Sequence, residues 1–457
     1  MSDAAAQHSV APSMGADQSS SPCNAHNRAT LVAYGGLAMP LILAESPIPI
    51  YLPAFYAQEL GLAVGLVGVV FLVARVWDGL SDVLIGWLSD RTAIRVGRRK
   101  IWIIFGAPIL AATTWLLCNP ADEATIWYLW FSIVLFYLAD TAVRIPYRSW
   151  GADLADDYVE RSRVTAFREF FTMFGQFAFA AAPIFLLPED APLGDVLSLV
   201  SIAAIIALAI GTALIVFGVP DVAAAPPASD SLVRAITALR SDRILRLFAL
   251  AWLIYMIAQG IVNSLAVFSF KAGLGLPNKI FWSIFILYIS MMCSVPITMR
   301  LAKAFDKHKL LILGMVINGA CLGALIFVPM ENFTIVAIIW VVTGFGYNIC
   351  IYLPWSMMAD VIDNGELDTG QRRPGAYMAV LNLTSKIALA LGIGIAFGSL
   401  ELVDFDPTAT IYELRDVVNI RLLGFGLPCV LMLAAAFVVL KYPITRERQR
   451  TVRELIR

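Results

Sequence analysis

Two aspartates lie one helical turn apart in a stretch that is otherwise apolar. Asp78 and Asp82 fall within residues 64–87, a stretch that also carries Arg75. Residues at i and i+4 share one face of a helix, so the two carboxylates are expected to be neighbours. A charge at membrane depth costs at least ~2.5–3.5 kcal/mol, and two like charges repel unless a cation or proton lies between them. The pattern predicts a coupling-ion site in a membrane transporter, and a structural ion network with Arg75 is the alternative.

The composition indicates an all-α membrane protein with many spans. Of the 457 residues, 59% are hydrophobic and only 15% are charged, whereas soluble domains have about 25% charged residues. The net charge of -1 argues against a nucleic-acid partner. The cysteines form no CxxC pair, the three histidines lack metal-ligand spacing, and no glycine-rich phosphate loop is present. Neither an enzyme nor a cofactor is therefore expected.

Twelve apolar stretches are long enough to be membrane-spanning helices, which need ~20 residues. They are predicted at 30–56, 64–89, 101–118, 124–148, 164–187, 195–218, 244–271, 279–301, 309–329, 333–358, 376–400 and 417–441. A polar break after the sixth span suggests two related six-helix bundles. The predicted units are a disordered tail (1–27), an N-terminal bundle (28–218), a linker (219–243), a C-terminal bundle (244–441) and a basic tail (442–457).

Lysine and arginine predict the orientation of the chain. They concentrate in the loops after even-numbered spans and in the C-terminal tail. The positive-inside rule therefore places both termini in the cytoplasm. The lack of a targeting signal fits a bacterial inner membrane, and a monomer embedded in the lipid bilayer is expected.

Three motif regions resemble the glycoside–pentoside–hexuronide:cation symporters, which have the major facilitator fold. The first runs from Gly65 to Thr92 and contains the aspartate pair. The second contains Ile145-Pro-Tyr147 and Arg161-Ser-Arg163, and the third runs from Leu353-Pro-Trp355 to Gly375. Together they cover helices 2, 4, 10 and 11 and the loops that follow them. The resemblance implies cation-coupled symport by rocking of two bundles around a central site.

The resemblance also implies a cation site, made of the aspartate pair and two hydroxyl groups. Its members here are Asp78, Ser81, Asp82 and Thr141. Sodium-coupled members often carry asparagine where this chain has Ser81, which favours a proton, but Na⁺ bound at Asp78 and Asp82 stays open. Lys386 matches the family's helix-11 lysine, which lies near the cation and sugar sites. A purely structural partnership of Lys386 with the acids is the alternative.

The implied substrate site departs from the family pattern. Arg168 matches the family's helix-5 arginine. The family's helix-1 acid has no match in this chain, and Glu45 lies about one turn beyond its position. Arg144 and Arg148 stand where the family has an acid and a tryptophan. Because guanidinium groups favour carboxylate and phosphate, we expect an anionic sugar such as a hexuronide. The alternatives are that Arg144 pairs with Asp140, that Arg148 faces the cytosol and that Glu45 is structural.

The remaining predictions concern an aromatic residue, the cytoplasmic charges and the substrate class. Trp355 is a candidate for stacking on a sugar ring, with ordinary packing as the alternative. A cytoplasmic charge lock that stabilises one conformation is expected from Asp90, Arg91, Arg98, Arg99, Asp153, Arg161, Asp306, Asp360, Arg372 and Arg373. The predicted function is symport of a sugar or glycoside with H⁺ or Na⁺, and symport of a lysolipid, as in an animal branch of the family, is the alternative.

Overall fold

A computed structural model describes residues 27–92, 97–121, 124–154, 158–220, 237–369, 374–409 and 411–456. This part of the chain is helical and contains no strand. Twelve of its helices are long and apolar enough to cross a membrane. The predicted all-α fold with twelve spans is therefore confirmed.

The first span, α1, is broken into the segments Arg28–Gly35, Ala38–Glu45, Pro47–Ile50 and Leu52–Gln58. The other spans of the first half are α2 (Val64–Arg91), α3 (Lys100–Cys118), α4 (Ile126–Asp153), α5 (Tyr158–Leu186) and α6 (Leu193–Gly218). Pro47 and Pro53 lie at the starts of two α1 segments, where a missing N–H costs nothing. The breaks in α1 place the carboxylate of Glu45 beside a bend.

The second half begins with α7 (Arg243–Phe268), which Asp242 caps by accepting hydrogen bonds from two backbone amides. It continues with α8 (Ile280–Ala304), α9 (Lys307–Leu325), α10 (Phe333–Thr369) and α11 (Pro374–Leu402). The last span, α12, comprises Leu414–Arg421, a π-helical turn at Leu422–Gly426 and Leu427–Val439, and a polar helix, α13 (Arg446–Ile456), follows it. Helix α10 is longer than predicted because its polar end stays helical beyond the apolar stretch.

Helix contacts group the spans into two halves. In the first half α2 and α3 pack on α4, and α1 packs on α5 and α6; in the second, α7 packs on α11 and α12, and α10 packs on α8 and α9. The division into residues 28–218 and 244–441 stays a prediction. Most of the predicted linker, residues 221–236, lies outside the described part.

The two halves meet mainly through α2 with α11, α5 with α8, and α1 with α7. The closest contacts lie from the middle of the molecule to the end away from the termini. A Cβ at Gly68 would overlap Phe397, and the rings of Phe177 and Phe285 lie 5.1 Å apart. Towards the other end, the Arg148 and Trp355 side chains are exposed. The described residues therefore form a molecule that is packed shut at the end away from the termini.

Candidate functional site

The ammonium group of Lys386 lies between the carboxylates of Asp78 and Asp82. Its Nζ is 2.9 Å from Asp78 Oδ2 and 2.6 Å from Asp82 Oδ2. These are the distances of charge-assisted hydrogen bonds. Helix α2 supplies both acids and α11 supplies the lysine, so this ion cluster joins the two halves. A lysine charge thus occupies the position that the sequence assigns to a coupling cation.

Two hydroxyl groups complete the cluster. Thr141 Oγ1 lies 3.1 Å from Asp82 Oδ1, 3.4 Å from Asp78 Oδ1 and 3.2 Å from Ser81 Oγ. The Ser81 hydroxyl also lies 3.0 Å from the Asp78 backbone carbonyl, to which it donates. Asp78, Ser81 and Thr141 are all buried. The structure therefore brings all four predicted cation-site residues together, and their oxygens are the ligand type that hard cations prefer.

Arg75 extends the cluster towards α1. Its Nη1 lies 3.3 Å from Asp78 Oδ2 and 3.7 Å from Glu45 Oε1, and its guanidinium group stacks over the Tyr137 ring at 4.8 Å. The residue is buried. The network that was the structural alternative is therefore present, and it shares Asp78 with Lys386. The contact of Arg75 with Glu45 was not predicted, whereas its pairing with Asp78 was the stated alternative and follows from their spacing of three residues.

Arg144 forms two hydrogen bonds with Asp140 and an ion pair with Glu45. Its Nε and Nη2 each lie 2.8 Å from one Asp140 carboxylate oxygen, and Nη2 is 2.9 Å from Glu45 Oε2. The geometry matches the alternative stated for this residue, in which Arg144 pairs with its i−4 neighbour. An anionic substrate would have to displace one of these acids to bind Arg144.

The ion pairs connect into one charged chain, the central network. It consists of Asp140, Arg144, Glu45, Arg75, Asp78, Lys386 and Asp82. Four carboxylates in it face three cationic groups. When all are ionised the network carries one net negative charge, so one added cation or proton makes it neutral. Its members come from α1, α2, α4 and α11, which links the cation cluster to the first span.

The other predicted substrate residues lie outside this network. Arg168 pairs with its neighbour Glu169, Nη2 to Oε1, at 2.8 Å. Arg148 is exposed and makes no ion pair with the described residues, and Trp355 is 40% exposed. None of the three lines the cavity between the two halves. Their assignment to substrate binding stays a prediction.

A cavity of about 260 Å³ lies between the two halves. Glu45 and Arg75 of the central network are part of its wall. Most of its polar lining was not predicted from the sequence and consists of Gln176, Gln259, Asn263, Asn318 and Thr343. Asn318 Oδ1 and Trp340 Nε1 are buried there and have no hydrogen-bond partner among the described residues. Single amides within apolar spans were the signal, because polar groups at membrane depth are costly.

The predicted charge lock is partly visible, as separate pairs within each half. Arg99 Nε lies 3.3 Å from Asp153 Oδ2, and Lys307 Nζ lies 2.7 Å from Asp360 Oδ2. Asp306, another predicted lock residue, contacts Lys309, Oδ2 to Nζ, at 2.9 Å. A hydrogen bond from Lys309 and another from the backbone of Arg446 hold the pKa of Asp306 below its usual value.

Two further lock residues, Arg98 and Arg91, make local contacts. Arg98 Nε donates to the Ser89 carbonyl at 3.3 Å, and Arg91 stacks on the Trp87 ring at 4.0 Å. Arg372, Arg373 and the side chains of Asp90 and Arg161 lie outside the described residues. The role of these residues as a lock that stabilises one conformation stays a prediction.

Comparison with known proteins places the chain in a transporter family. Residues 33–446 match the family described as MFS/sugar transport protein. The putative glycoside/cation symporter YagG of Escherichia coli is 24% identical, over 88% of this chain and 89% of its own. The glucuronide carrier protein homolog of the same organism is 22% identical, over 93% and 94%.

More distant similarities agree on the fold. The sodium-dependent lysophosphatidylcholine symporter 1-B of Danio rerio is 21% identical, over 85% of this chain and 82% of its own. The crystal structure of the nucleoside transporter NupG superimposes with a TM-score of 0.65 at 13% identity, over 91% and 99%. On the match over residues 33–446, this chain is a membrane transporter that belongs to the MFS/sugar transport protein family.

Proposed function

We propose that the protein is a symporter that couples entry of H⁺ or Na⁺ to uptake of a sugar or glycoside by alternating access. The observation that carries this proposal is the Lys386 ammonium held 2.9 and 2.6 Å from Asp78 and Asp82. The Lys386 ammonium group and a diffusible H⁺ or Na⁺ would compete for the same two carboxylates. The relatives named as symporters support the same function.

Coupling follows from the shared acid. Asp78 binds Lys386 on one side and Arg75 on the other. When a cation or proton arrives at the aspartate pair, it weakens both contacts because the carboxylate charge is then compensated. Arg75 and Glu45, which line the cavity, become free to bind substrate. Binding of the ion thus prepares the substrate site, and linkage requires that substrate strengthen ion binding by the same factor.

Rocking between the two states depends on charge compensation. In the empty carrier Lys386 and Arg75 compensate the charges of Asp78 and Asp82. In the loaded carrier the ion takes the place of Lys386. A carrier with substrate alone or ion alone leaves buried charges unpaired, which disfavours closure. Both H⁺ and Na⁺ satisfy this scheme. The hydroxyl groups of Thr141 and Ser81 are near enough to serve as oxygen ligands for Na⁺, or as donors that orient a protonated pair.

The cavity favours a neutral, hydroxyl-rich substrate. Its amides offer both donors and acceptors, and Trp340, Tyr288 and Tyr347 offer ring faces for stacking. Arg144 does not line the cavity and is already paired with two carboxylates. We therefore place a neutral glycoside before a hexuronide. A lysolipid is the second candidate, because Leu287, Leu322 and Met432 give the cavity an apolar side.

The proposed setting is a bacterial inner membrane, with the protein as a monomer and both termini in the cytoplasm. In that orientation the packed end faces outward and the described conformation is inward-facing. Release of substrate and ion to the cytosol is the step that such a conformation performs.

Uptake into proteoliposomes tests the function. A neutral galactoside, a glucuronide and a lysophosphatidylcholine are offered separately under an imposed proton or sodium gradient. We expect the galactoside to accumulate with one of the gradients. Asp78→Asn and Asp82→Asn should each abolish accumulation, while Asp195→Asn, an exposed acid at the start of α6, should leave it intact.

The other outcomes are equally informative. Glucuronide-selective uptake that Arg144→Gln abolishes would restore Arg144 as an anion anchor. Uptake of lysophosphatidylcholine alone would assign the chain to lysolipid symport. Accumulation that survives both aspartate substitutions would refute the coupling site.

A further inference from the structure

A second cleft of about 290 Å³ lies at the end of the molecule that carries the C-terminus. The ends of α8 and α10 form its floor, and the segment between α12 and α13 forms one wall. Helix α13 closes it with Arg446, Gln449 and Arg450. It shares no lining residue with the cavity between the two halves, so it is separate from the proposed substrate site.

The cleft is positively charged. Arg446 and Arg450 are exposed and make no ion pair with the described residues. Lys307 and Asp360 also line the cleft, but they pair with each other at 2.7 Å and offset one another's charge. The two arginines therefore leave a net positive charge that an anion could compensate.

Two buried donor groups at the cleft have no hydrogen-bond partner among the described residues. They are the Tyr442 hydroxyl, on a side chain that is 6% exposed, and Gln449 Nε2. Burying such groups without a partner costs about 1–3 kcal/mol each. Both residues line the cleft, so a ligand with several acceptor oxygens would satisfy the hydroxyl, the amide and the two guanidinium groups together.

We propose that this cleft binds a phosphate-bearing anion. A phosphate group presents acceptor oxygens in a tetrahedral arrangement, which suits two guanidinium forks and two neutral donors better than a single planar carboxylate does. The ligand is the headgroup of an anionic phospholipid or a soluble phosphate ester. The position beside the end of α12 and the basic residues Lys441, Arg446, Arg448, Arg450 and Arg453 suit either source.

Calorimetric titration of the purified full-length protein in neutral detergent tests the proposal. Dioctanoyl phosphatidylglycerol represents the lipid source, and glycerol 3-phosphate the soluble one. Dioctanoylglycerol and glycerol, which lack phosphate, are the respective controls. We expect at least one phosphate compound to bind at a single site while its control does not. Binding of the lipid alone would identify a headgroup, and binding of both would identify the phosphate as sufficient.

Substitutions of the cleft residues test whether the phosphate compound binds in this cleft. The double variant Arg446→Gln/Arg450→Gln should weaken it roughly tenfold or more, because two charge-assisted contacts are lost. Tyr442→Phe should weaken it about threefold to tenfold and removes only one oxygen. Arg448→Gln is the matched control, since this arginine is on the same helix but bonds Asn364 at 3.3 Å and does not line the cleft.

Two results would overturn the proposal. One is that neither phosphate compound binds more tightly than its phosphate-free control. The other is that Arg448→Gln weakens binding as much as the double variant, which would indicate a diffuse attraction to a basic surface. If the double variant is not monodisperse on size exclusion, Tyr442→Phe decides the matter alone.

Discussion

At the scale of single residues, Lys386 is the group whose removal separates exchange from accumulation. With Lys386→Gln, the empty carrier holds Asp78 and Asp82 without their compensating ammonium group, so its return step should slow at least tenfold. The loaded carrier needs no lysine charge. We therefore expect exchange of internal for external substrate to persist while gradient-driven accumulation is lost, both measured in proteoliposomes. An equal loss of the two activities would contradict this role, and Ile387→Val, at the exposed next position on α11, is the control.

Substitution of Thr141 tests whether its hydroxyl group contributes to binding of the coupling ion. Thr141→Val keeps the shape of the side chain but removes the hydroxyl that lies 3.1 Å from Asp82 Oδ1. The lost contact should weaken apparent affinity for the ion about tenfold, whereas Thr141→Ser should retain it. The measurement is the ion concentration that gives half-maximal uptake. Unchanged ion dependence in the valine variant would remove Thr141 from the site.

Some contacts of the candidate site could be predicted from the sequence, and others could not. The neighbouring carboxylates of Asp78 and Asp82 follow from helical spacing alone. The contact between Asp78 and Lys386 joins residues 308 positions apart, which no periodicity encodes; the family resemblance brought it into view. Asn318 and Trp340 were missed because an amide or an indole in an apolar span usually finds a partner within its own bundle. Only the cavity shows that Asn318 Oδ1 and Trp340 Nε1 face a space instead.

At the scale of helices, the packing of α2 on α11 depends on glycines. A Cβ at Gly68 would overlap Phe397, whereas one at Gly398 would meet nothing within 4 Å. Gly68→Ala should therefore push the two helices apart and disfavour the described conformation, while Gly398→Ala should not. Distances between spin labels on the two halves, measured by double electron–electron resonance, report the shift. A Gly68→Ala protein with an unchanged distance distribution would show that the contact relaxes locally.

The helices themselves were largely predictable, because a bilayer requires each span to satisfy its own backbone hydrogen bonds and to present apolar side chains. The observed helices differ from the predicted ones at breaks within spans and beyond the apolar stretches. Prolines begin two of the four segments of α1, and α10 continues to Thr369 with polar residues that a hydropathy criterion excludes. The π-helical turn at Leu422–Gly426 in α12 has no signature in composition. Helix α13 lies beyond the apolar spans and was expected only as a basic tail.

At the scale of the whole molecule, one ion pair between the two halves affects the balance between the two conformations, and exchanging its charges tests this effect. Lys279 Nζ lies 3.0 Å from Glu189 Oε2, and this pair bridges the two halves at the packed end. Both side chains are partly exposed, so the pair is worth only ~0.2–1 kcal/mol. Such a small term still shifts the ratio of two nearly balanced states by up to about fivefold.

Lys279→Glu places two like charges across the packed end and should shift the population towards the conformation that opens there. The double variant Glu189→Lys/Lys279→Glu restores an opposite pair and should return the population towards that of the unmodified protein. Spin-label distances across the packed end measure both, and 1 M salt should reduce the difference because it screens exposed charges. If the single and double variants shift the distances equally, the effect comes from the altered side chains and not from their attraction. The described conformation would then rest on the glycine and aromatic packing of α2 with α11 and α5 with α8, together with the ion pairs of Lys386.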